Sequence, residues 1–170
     1  SHAAASFYPS PFEHAAVLTL DGVGEWTTGT MGTAKGHRID IDKEMRFPNS
    51  VGLLYSAFTA FLGFEVNDGE YKVMGMAAYG KPRYVKKIRK LFRQSPDGSF
   101  ALDLSYFSFH YSNKRMFTDK FIALFAGCNR FDLASSLQMV VEEVVLSMAQ
   151  ALYTQTKCAD LVYGGGVALN

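Results

Sequence analysis

Asp21, Gly22 and Gly24 follow a short apolar run, and residues of these types at this spacing can bind a metal ion together with a phosphate. The carboxylate would hold the cation, and the glycine turn would point backbone N–H groups at the phosphate oxygens. Residues 15–20 have the apolar character of a buried strand, and the Thr-rich run from Glu25 to Met31 predicts the returning strand. A simple hairpin turn is the more common reason for an Asp-Gly pair, so both interpretations stay open.

A second glycine-rich turn follows the last predicted strand. Residues 160–163 predict a buried strand, and Gly164, Gly165 and Gly166 come directly after it, close to Asn170. Consecutive glycines at the end of a strand allow the backbone to lie against a nucleotide phosphate or sugar. The spacing matches neither the GxGxxG fingerprint nor the Walker A pattern. The residues alone therefore indicate contact with a nucleotide without matching an established motif.

Residues 67–82 form a third candidate segment. Asp68, Glu70 and Lys72 fall close together, and Gly75 follows them among small side chains. Such a segment suits close packing beside a bound ligand, with the ammonium group of Lys72 available for a phosphate. A glycine-rich connection with ordinary surface charges explains the same residues, and the two interpretations stay open.

The composition predicts a folded domain without a strongly charged partner. Of the 170 residues, 48% are hydrophobic, and the net charge is +1. A chain of this length can bury a core, and a charge near zero argues against nucleic acid as a partner. No run approaches the roughly 20 apolar residues of a membrane span, and the first residues lack the pattern of a signal peptide. Cys128 and Cys158 have no paired spacing, which favours free thiols in a reducing cytoplasm.

The elements that must position these residues follow from the spacing of apolar and capping residues. In chain order they are a short helix that ends before Pro9, three strands between Ala15 and Phe47, a helix capped by Asn49 or Ser50 that ends at Gly63, a helix that begins at Pro82 and reaches Phe92, a strand at 100–104, a strand or lid at 106–111, a helix at 116–125, a long helix capped by Asp132, and the strand before Gly164. This order is that of one lobe of a ribonuclease-H-like fold, so the predicted class is α/β. In actin-like ATPases and sugar kinases, two such lobes enclose a nucleotide.

Both ends of the chain fall at unusual places. It begins at Ser1 without a methionine and stops at Asn170, just after the glycine motif. A strand and a glycine turn should lead into a further element. Residues 1–170 are therefore predicted to be a single partial domain of a longer protein.

Longer motifs bring a closer resemblance. They are Ser1-His2-Ala3-Ala4, Phe7-Tyr8-Pro9-Ser10-Pro11-Phe12, Leu18-Thr19-Leu20-Asp21-Gly22-Val23-Gly24-Glu25-Trp26, Gly52-Leu53-Leu54-Tyr55, Lys72-Val73-Met74-Gly75-Met76-Ala77-Ala78-Tyr79-Gly80 and Gly164-Gly165-Gly166-Val167-Ala168-Leu169-Asn170. The chain resembles the O-carbamoyltransferases of the nodulation and antibiotic-tailoring type. The motifs are long and spread over the whole chain, so the resemblance is specific.

The resemblance implies a position in the protein and a reaction. The chain would be an internal piece of the N-terminal, actin-like domain, without the C-terminal domain that forms an adenylate. Carbamoyl phosphate and ATP would give carbamoyl-adenylate with release of pyrophosphate, and the carbamoyl group would then pass to a hydroxyl of a sugar, an antibiotic or a Nod factor. A divalent metal is implied, with Fe²⁺ expected and Mg²⁺ as the alternative.

The resemblance also implies roles for particular residues. His2 matches the last histidine of a metal-binding motif, and Asp21 matches the hairpin aspartate near metal and phosphate, where Gly22 and Gly24 form the turn. Gly165, Gly166 and Asn170 match the nucleotide-binding turn, and Gly164 stands where many relatives have another small residue. Lys72 and Gly75 belong to a motif that faces the cleft, without an assigned role.

Two other classes of function remain alternatives. An actin-like small-molecule kinase would produce ADP instead of AMP. A structural or regulatory domain would keep the fold without turnover. For the carbamoyltransferase, the expected partners are small molecules, with neither nucleic acid nor membrane, and a homodimer is left open.

Overall fold

The computed structural model describes residues 1–24, 26–112 and 114–170. Glu25, the first residue of the predicted second strand, lies outside the described residues. The chain is a mixed α/β protein, as predicted, and it divides into two compact units. Unit 1 comprises Ser1–Gly52, Gln94–Phe100 and Val145–Asn170, and unit 2 comprises Leu53–Arg93 and Ala101–Val144.

The helices and strands follow one another in an order close to the predicted one. They are α1 (His2–Phe7), β1 (His14–Leu20), β2 (Thr27–Lys35), β3 (Arg38–Arg46), α2 (Val51–Phe61), α3 (Glu70–Ala77), α4 (Val85–Ile88), β4 (Phe92–Gln94), β5 (Phe100–Leu102), α5 (Asp119–Phe125), α6 (Arg130–Thr156) and β6 (Leu161–Gly164). Short 3₁₀ turns lie at Arg89–Leu91, Leu104–Tyr106 and Gly166–Leu169.

A four-stranded sheet forms the centre of unit 1. Its spatial order is β3-β2-β1-β6, in which β1, β2 and β3 pair antiparallel and β6 runs parallel to β1. The sheet confirms the three strands predicted between residues 15 and 47 and the strand predicted before the three glycines. Because β1 and β6 are parallel, their carboxyl ends lie at the same edge of the sheet. Asp21 and Gly165 directly follow these two ends.

β1 is the buried middle of this sheet, and only its first residue is exposed. On one face, Ala15 and Val17 belong to an apolar cluster that includes Phe7 of α1. On the other face, Leu18 and Leu20 line a cavity together with Met148 of α6. Each fully buried leucine contributes roughly 1.5–3 kcal/mol of hydrophobic free energy, so the position of β1 is strongly determined.

α1 confirms the short helix predicted before Pro9. It begins at His2 and ends at Phe7, whose side chain is 3% exposed. Phe7 is the residue that anchors α1 to the sheet, since it packs in the apolar cluster with Val17 and Val162. The anchor places the first turn of α1, and with it His2, beside the sheet.

Unit 2 has an aromatic core made by α2 and α5. The ring of Phe58 lies 5.0 Å from that of Phe121 and 5.1 Å from that of Phe125, in both cases edge to face. Phe61 makes a similar edge contact with Phe117 at 5.5 Å. Such geometry adds roughly 0.5–1.5 kcal/mol per pair beyond the burial of area.

The long helix begins earlier than predicted, and its cap is a different residue. α6 starts at Arg130, and the side-chain oxygen of Asn129 accepts hydrogen bonds from the N–H groups of Phe131 and Asp132. Asn129 is therefore the capping residue, and the prediction of Asp132 was wrong. Asp132 lies in the first turn, where its carboxylate accepts a hydrogen bond from the backbone N–H of Lys81.

Two further elements differ from the predictions. Residues 70–77 form the helix α3, so of the two interpretations left open for residues 67–82 the glycine-rich connection is wrong for this part, and contact with a ligand stays a prediction. The helix predicted from Pro82 to Phe92 is observed as α4, from Val85 to Ile88, followed directly by the 3₁₀ turn Arg89–Leu91, and Phe92 begins β4 instead. Proline has a fixed φ that suits the first position of a helix, which favoured Pro82 as the start. A suitable φ at one residue does not by itself form the first helical turn, because that turn requires several residues to be fixed for one hydrogen bond.

The aromatic segment at 106–111 is neither a full strand nor an open lid. Phe107 makes an isolated antiparallel bridge with Phe117, and its side chain is fully buried. The segment therefore belongs to the aromatic core of unit 2.

None of the described helices combines the length and the apolar character that crossing a bilayer requires.

The turn between β4 and β5 is organised by Asp97. Its carboxylate accepts hydrogen bonds from the N–H and the hydroxyl of Ser99, at 3.0 and 2.8 Å. The ammonium group of Lys43 on β3 lies 3.3 Å from the same carboxylate. The Ser99 bonds first, and Lys43 after them, lower the pKa of Asp97 from 3.8 to about 2.

This lowered pKa predicts a loss of stability in acid. The folded state keeps Asp97 ionised at a pH where the unfolded chain already binds a proton. The contribution is complete above about pH 5 and is lost as the pH falls toward about 2. Urea unfolding between pH 3 and pH 7 should show that Asp97→Asn lowers stability at pH 7 and flattens the acid slope. Asp42→Asn, on an exposed residue of β3, is the control, and an equal slope in both variants would contradict the assignment.

Candidate functional site

His2 and Asp21 lie together at the carboxyl edge of the sheet in unit 1. The Nε2 atom of His2 is 2.9 Å from Oδ2 of Asp21, and the side chains are 48% and 27% exposed. The two residues are 19 positions apart in sequence, so the contact is made by the packing of α1. The structure therefore brings together the two residues expected to bind metal.

The carboxylate of Asp21 has a defined environment. Burial acts to raise its pKa, but the hydrogen bond from His2 and the backbone N–H of Gly22 outweigh that effect. The positive charge of His2 and the N–H of Gly166 add to the lowering. The net direction is a pKa below the usual 3.8, so the residue is a carboxylate near neutral pH.

Two backbone N–H groups converge on the other carboxylate oxygen. Oδ1 of Asp21 accepts a hydrogen bond of 2.8 Å from Gly22 and a longer one of 3.4 Å from Gly166. Gly166 begins the 3₁₀ turn that follows β6. The glycine turns after β1 and after β6 therefore meet at one carboxylate, as the parallel pairing of these strands requires.

Gly165 has a backbone conformation that only glycine adopts readily. Its φ is +96° and its ψ is 173°, a region from which a Cβ atom is sterically excluded. A Cβ built on Gly165 would also overlap the carbonyl oxygen of Leu20 at the end of β1. The requirement for glycine here comes from the protein's own packing.

Gly164 permits the close approach of α1. A Cβ on Gly164 would overlap the hydroxyl of Ser6, which itself donates a 2.8 Å hydrogen bond to the carbonyl of His2. Sequence reasoning did not single out Ser6, although a serine four residues after His2 in a helix commonly bonds back in this way. Ser6 and Gly164 together place the helix that carries His2.

The other predicted residues of unit 1 lie near these turns. Gly22 has open space where a Cβ would be, and a Cβ on Gly24 would lie 2.7 Å from the carbonyl oxygen of Thr27. Gly24 is exposed in the loop between β1 and β2. Asn170 is exposed at the end of the 3₁₀ turn, and its N–H donates to the carbonyl of Val167. Their predicted contacts with a nucleotide stay predictions.

Lys72 and Gly75 belong to unit 2 and are described there by themselves. Both are exposed on α3, and the ammonium group of Lys72 lies 5.5 Å from the centre of the Tyr71 ring. A Cβ on Gly75 would meet no atom within 4 Å. No internal contact among the described residues explains a glycine in the middle of this helix, which distinguishes Gly75 from the glycines of unit 1.

The His2 and Asp21 pair fits the donor chemistry of a divalent metal site. The observed 2.9 Å between Nε2 and Oδ2 is the distance of a hydrogen bond, and both atoms are of types that could bind a metal. An imidazole nitrogen and a carboxylate oxygen are ligands of several divalent metals, among them Zn²⁺ and Fe²⁺. Within residues 1–24, 26–112 and 114–170, no group of three or more histidine, cysteine, aspartate or glutamate side chains could hold a metal. Among the described residues, the candidate metal site thus consists of the His2–Asp21 pair.

Comparison with known proteins identifies the family. The chain belongs to the family described as Carbamoyltransferase N-terminus, whose model matches residues 1–170. An uncharacterised protein of Synechocystis is 44% identical over 181 residues, which cover 100% of this chain and 29% of that protein. The family expected from the motifs is thereby confirmed.

Two nodulation proteins are also similar. NolNO of Sinorhizobium fredii is 31% identical over 178 residues, which cover 100% of this chain and 25% of NolNO. NolO of Bradyrhizobium diazoefficiens is 31% identical over 172 residues, which cover 99% of this chain and 30% of NolO. The chain therefore spans less than a third of the length of these relatives.

The geometry of Gly165 predicts a large loss of stability in Gly165→Ala. Strain in this backbone region and overlap with Leu20 should together cost about 3 kcal/mol or more in the free energy of unfolding. Gly36→Ala is the matched control, because Gly36 has φ +59° but open space around it. It should cost only about 1–2 kcal/mol. Equal losses in urea unfolding would show that the contact with Leu20 does not matter.

Proposed function

We propose that this protein takes part in ATP-dependent O-carbamoyl transfer to a hydroxyl group of a small molecule. The observation that carries the proposal is membership of the carbamoyltransferase family over the whole chain, combined with the His2–Asp21 pair. Similarity to two nodulation proteins supports a sugar-based acceptor such as a Nod factor, and an antibiotic or another sugar is the alternative acceptor.

We further propose that unit 1 is part of a ribonuclease-H-like lobe of the actin-like ATPase fold. The sheet order β3-β2-β1-β6, with β6 parallel to β1, supports this proposal. So does the meeting of the two strand ends at Asp21, since ligands of α/β sheets bind outside the carboxyl ends of strands. In this scheme Gly22 and Gly24 face phosphates, and Gly164 to Gly166 with Asn170 face the nucleotide.

The chemistry proceeds in two balanced steps. Carbamoyl phosphate, ATP and water give carbamoyl-adenylate, pyrophosphate and phosphate. The acceptor oxygen then bonds to the carbamoyl carbon, the bond from that carbon to the AMP oxygen breaks, and its electron pair leaves with AMP. The acceptor proton passes to a general base, a role for which we assign no residue.

His2 and Asp21 would hold a divalent metal, with Fe²⁺ expected and Mg²⁺ as the alternative. When bound, the metal supplies positive charge that stabilises developing charge on phosphate or carbonyl oxygens. In the structure, Nε2 of His2 is hydrogen-bonded to Asp21, and a metal bound by both residues would take the place of this bond. Two protein ligands leave positions for substrate oxygen atoms or water. For Lys72, on α3 of unit 2, we propose contact with a phosphate.

The nature of the nucleotide product tests this proposal. The protein at its natural length should release AMP from ATP only when carbamoyl phosphate is present. Asp21→Asn should reduce AMP release at least about tenfold, since loss of a charged ligand is at least as damaging as loss of a supporting residue. Asp42→Asn is the control with the same change in charge. Release of ADP would instead support the small-molecule kinase, and no turnover with any acceptor would support a non-catalytic domain.

Gly75→Ala separates a role in folding from a role in binding. Alanine in place of an exposed helical glycine should stabilise α3 by up to about 1 kcal/mol. If a ligand lies against this glycine, as proposed for the motif of Lys72, the added methyl group should raise the KM for ATP or carbamoyl phosphate. A raised melting temperature with unchanged KM for both substrates would exclude the binding role.

A further inference from the structure

Ser50 is fully buried and directly precedes α2, where it was expected only to cap the helix. Its hydroxyl oxygen lies 2.8 Å from the carbonyl oxygen of Asp21 and 2.7 Å from that of Gly22. A hydroxyl has a single proton to donate, so the two carbonyls share one donor. The buried serine is thus bonded to the backbone of the loop that carries the candidate metal ligand.

The same loop is tied to Ser50 by a second route. The N–H of Asp21 donates to the carbonyl of Thr28 at 2.9 Å. The hydroxyl of Thr28, a residue only 1% exposed, donates to the carbonyl of Asn49, which precedes Ser50. The bonds form a closed circuit from Asp21 through Thr28 and Asn49 to Ser50. Connected bonds of buried groups restrict movement more than separate ones.

Gly52 brings the start of α2 directly against this loop. A Cβ on Gly52 would lie 2.7 Å from the carbonyl oxygen of Asp21 and from the N and Cα atoms of Gly22. Real Cβ atoms do not come this close to backbone, so any larger residue would displace the loop. This contact explains why glycine opens the segment Gly52-Leu53-Leu54-Tyr55.

We infer that Ser50 and Gly52 are positioning residues for Asp21. The hydroxyl of Ser50 is hydrogen-bonded to the carbonyl oxygens of Asp21 and Gly22. Gly52 has no side chain, so the backbone at the start of α2 packs directly against the same loop. The carboxylate of Asp21 is thereby kept 2.9 Å from Nε2 of His2 and 2.8 Å from the N–H of Gly22. The inference that this matters for metal binding rests on the proposed function, whereas the clamping of the loop does not.

Ser50→Ala in the protein at its natural length tests both parts. Hydrogen exchange followed by mass spectrometry on a peptide covering residues 18–24 should become about tenfold faster without any metal present. Titration with Co²⁺ should show a 10- to 100-fold weaker Kd, as is typical when a residue that orients a ligand is lost. The Co²⁺ absorption bands should also change in position or intensity.

Ser136→Ala is the matched control. Ser136 is likewise fully buried, and its hydroxyl bonds to the carbonyl of Asp132, but it belongs to unit 2. The Ser136→Ala variant should have a lower melting temperature, whereas its hydrogen exchange at residues 18–24 and its affinity for Co²⁺ should be unchanged. Ser50→Cys, which keeps the size and only a weak donor, should give intermediate exchange and affinity if Ser50→Ala folds poorly.

Each outcome has a separate meaning. Unchanged exchange at 18–24 in both Ser50 variants would overturn the clamp. Faster exchange with unchanged Co²⁺ affinity would overturn the link between the clamp and the metal. No Co²⁺ binding by the wild-type protein would remove the metal from the proposed function, and the exchange measurement would still decide whether Ser50 clamps the loop.

Discussion

The candidate site depends on how firmly the carboxyl end of β1 is held. The N–H of Asp21 bonds to Thr28, its carbonyl bonds to Ser50, and its carboxylate bonds to His2 and Gly22. β1 itself is buried on both faces, so the strand cannot shift to relax any of these bonds. A carboxylate at the end of such a strand has a fixed direction, which a metal or phosphate site requires.

The glycines of unit 1 serve packing as much as any ligand. The space of a Cβ on Gly164 is taken by Ser6, and that on Gly165 is taken by the carbonyl of Leu20. The space beside Gly52 is taken by the backbone of Asp21. These contacts bring α1, β6 and α2 close to the end of β1, and only residues without side chains allow such an approach. A glycine-rich turn can therefore be required by packing within the fold itself, independently of any ligand.

Among the described residues, His2 and Asp21 form a pair, and no group of three or more histidine, cysteine, aspartate or glutamate side chains could hold a metal. A histidine nitrogen and a carboxylate oxygen are suited to one divalent cation, and open positions are what catalysis needs. The chain that carries this pair belongs to the carbamoyltransferase family over residues 1–170. The chain covers 25–30% of the length of the two nodulation relatives.

The sequence by itself determined the strands of the sheet in unit 1, the α/β class and the family, whereas the tertiary structure decided which residues meet. Apolar runs and alternation identified β1, β3 and β6, because burial of a strand leaves a local pattern. The motifs around Asp21 and Gly164 identified the family without any structure. The contacts of His2 with Asp21 and of Ser50 with Asp21 join residues 19 and 29 positions apart, and no local pattern records them. Two helix starts were predicted wrongly for a related reason: α6 is capped by Asn129 and not by Asp132, and α4 begins at Val85. Several residues in each segment are able to begin a helix, and tertiary packing determines which of them does so.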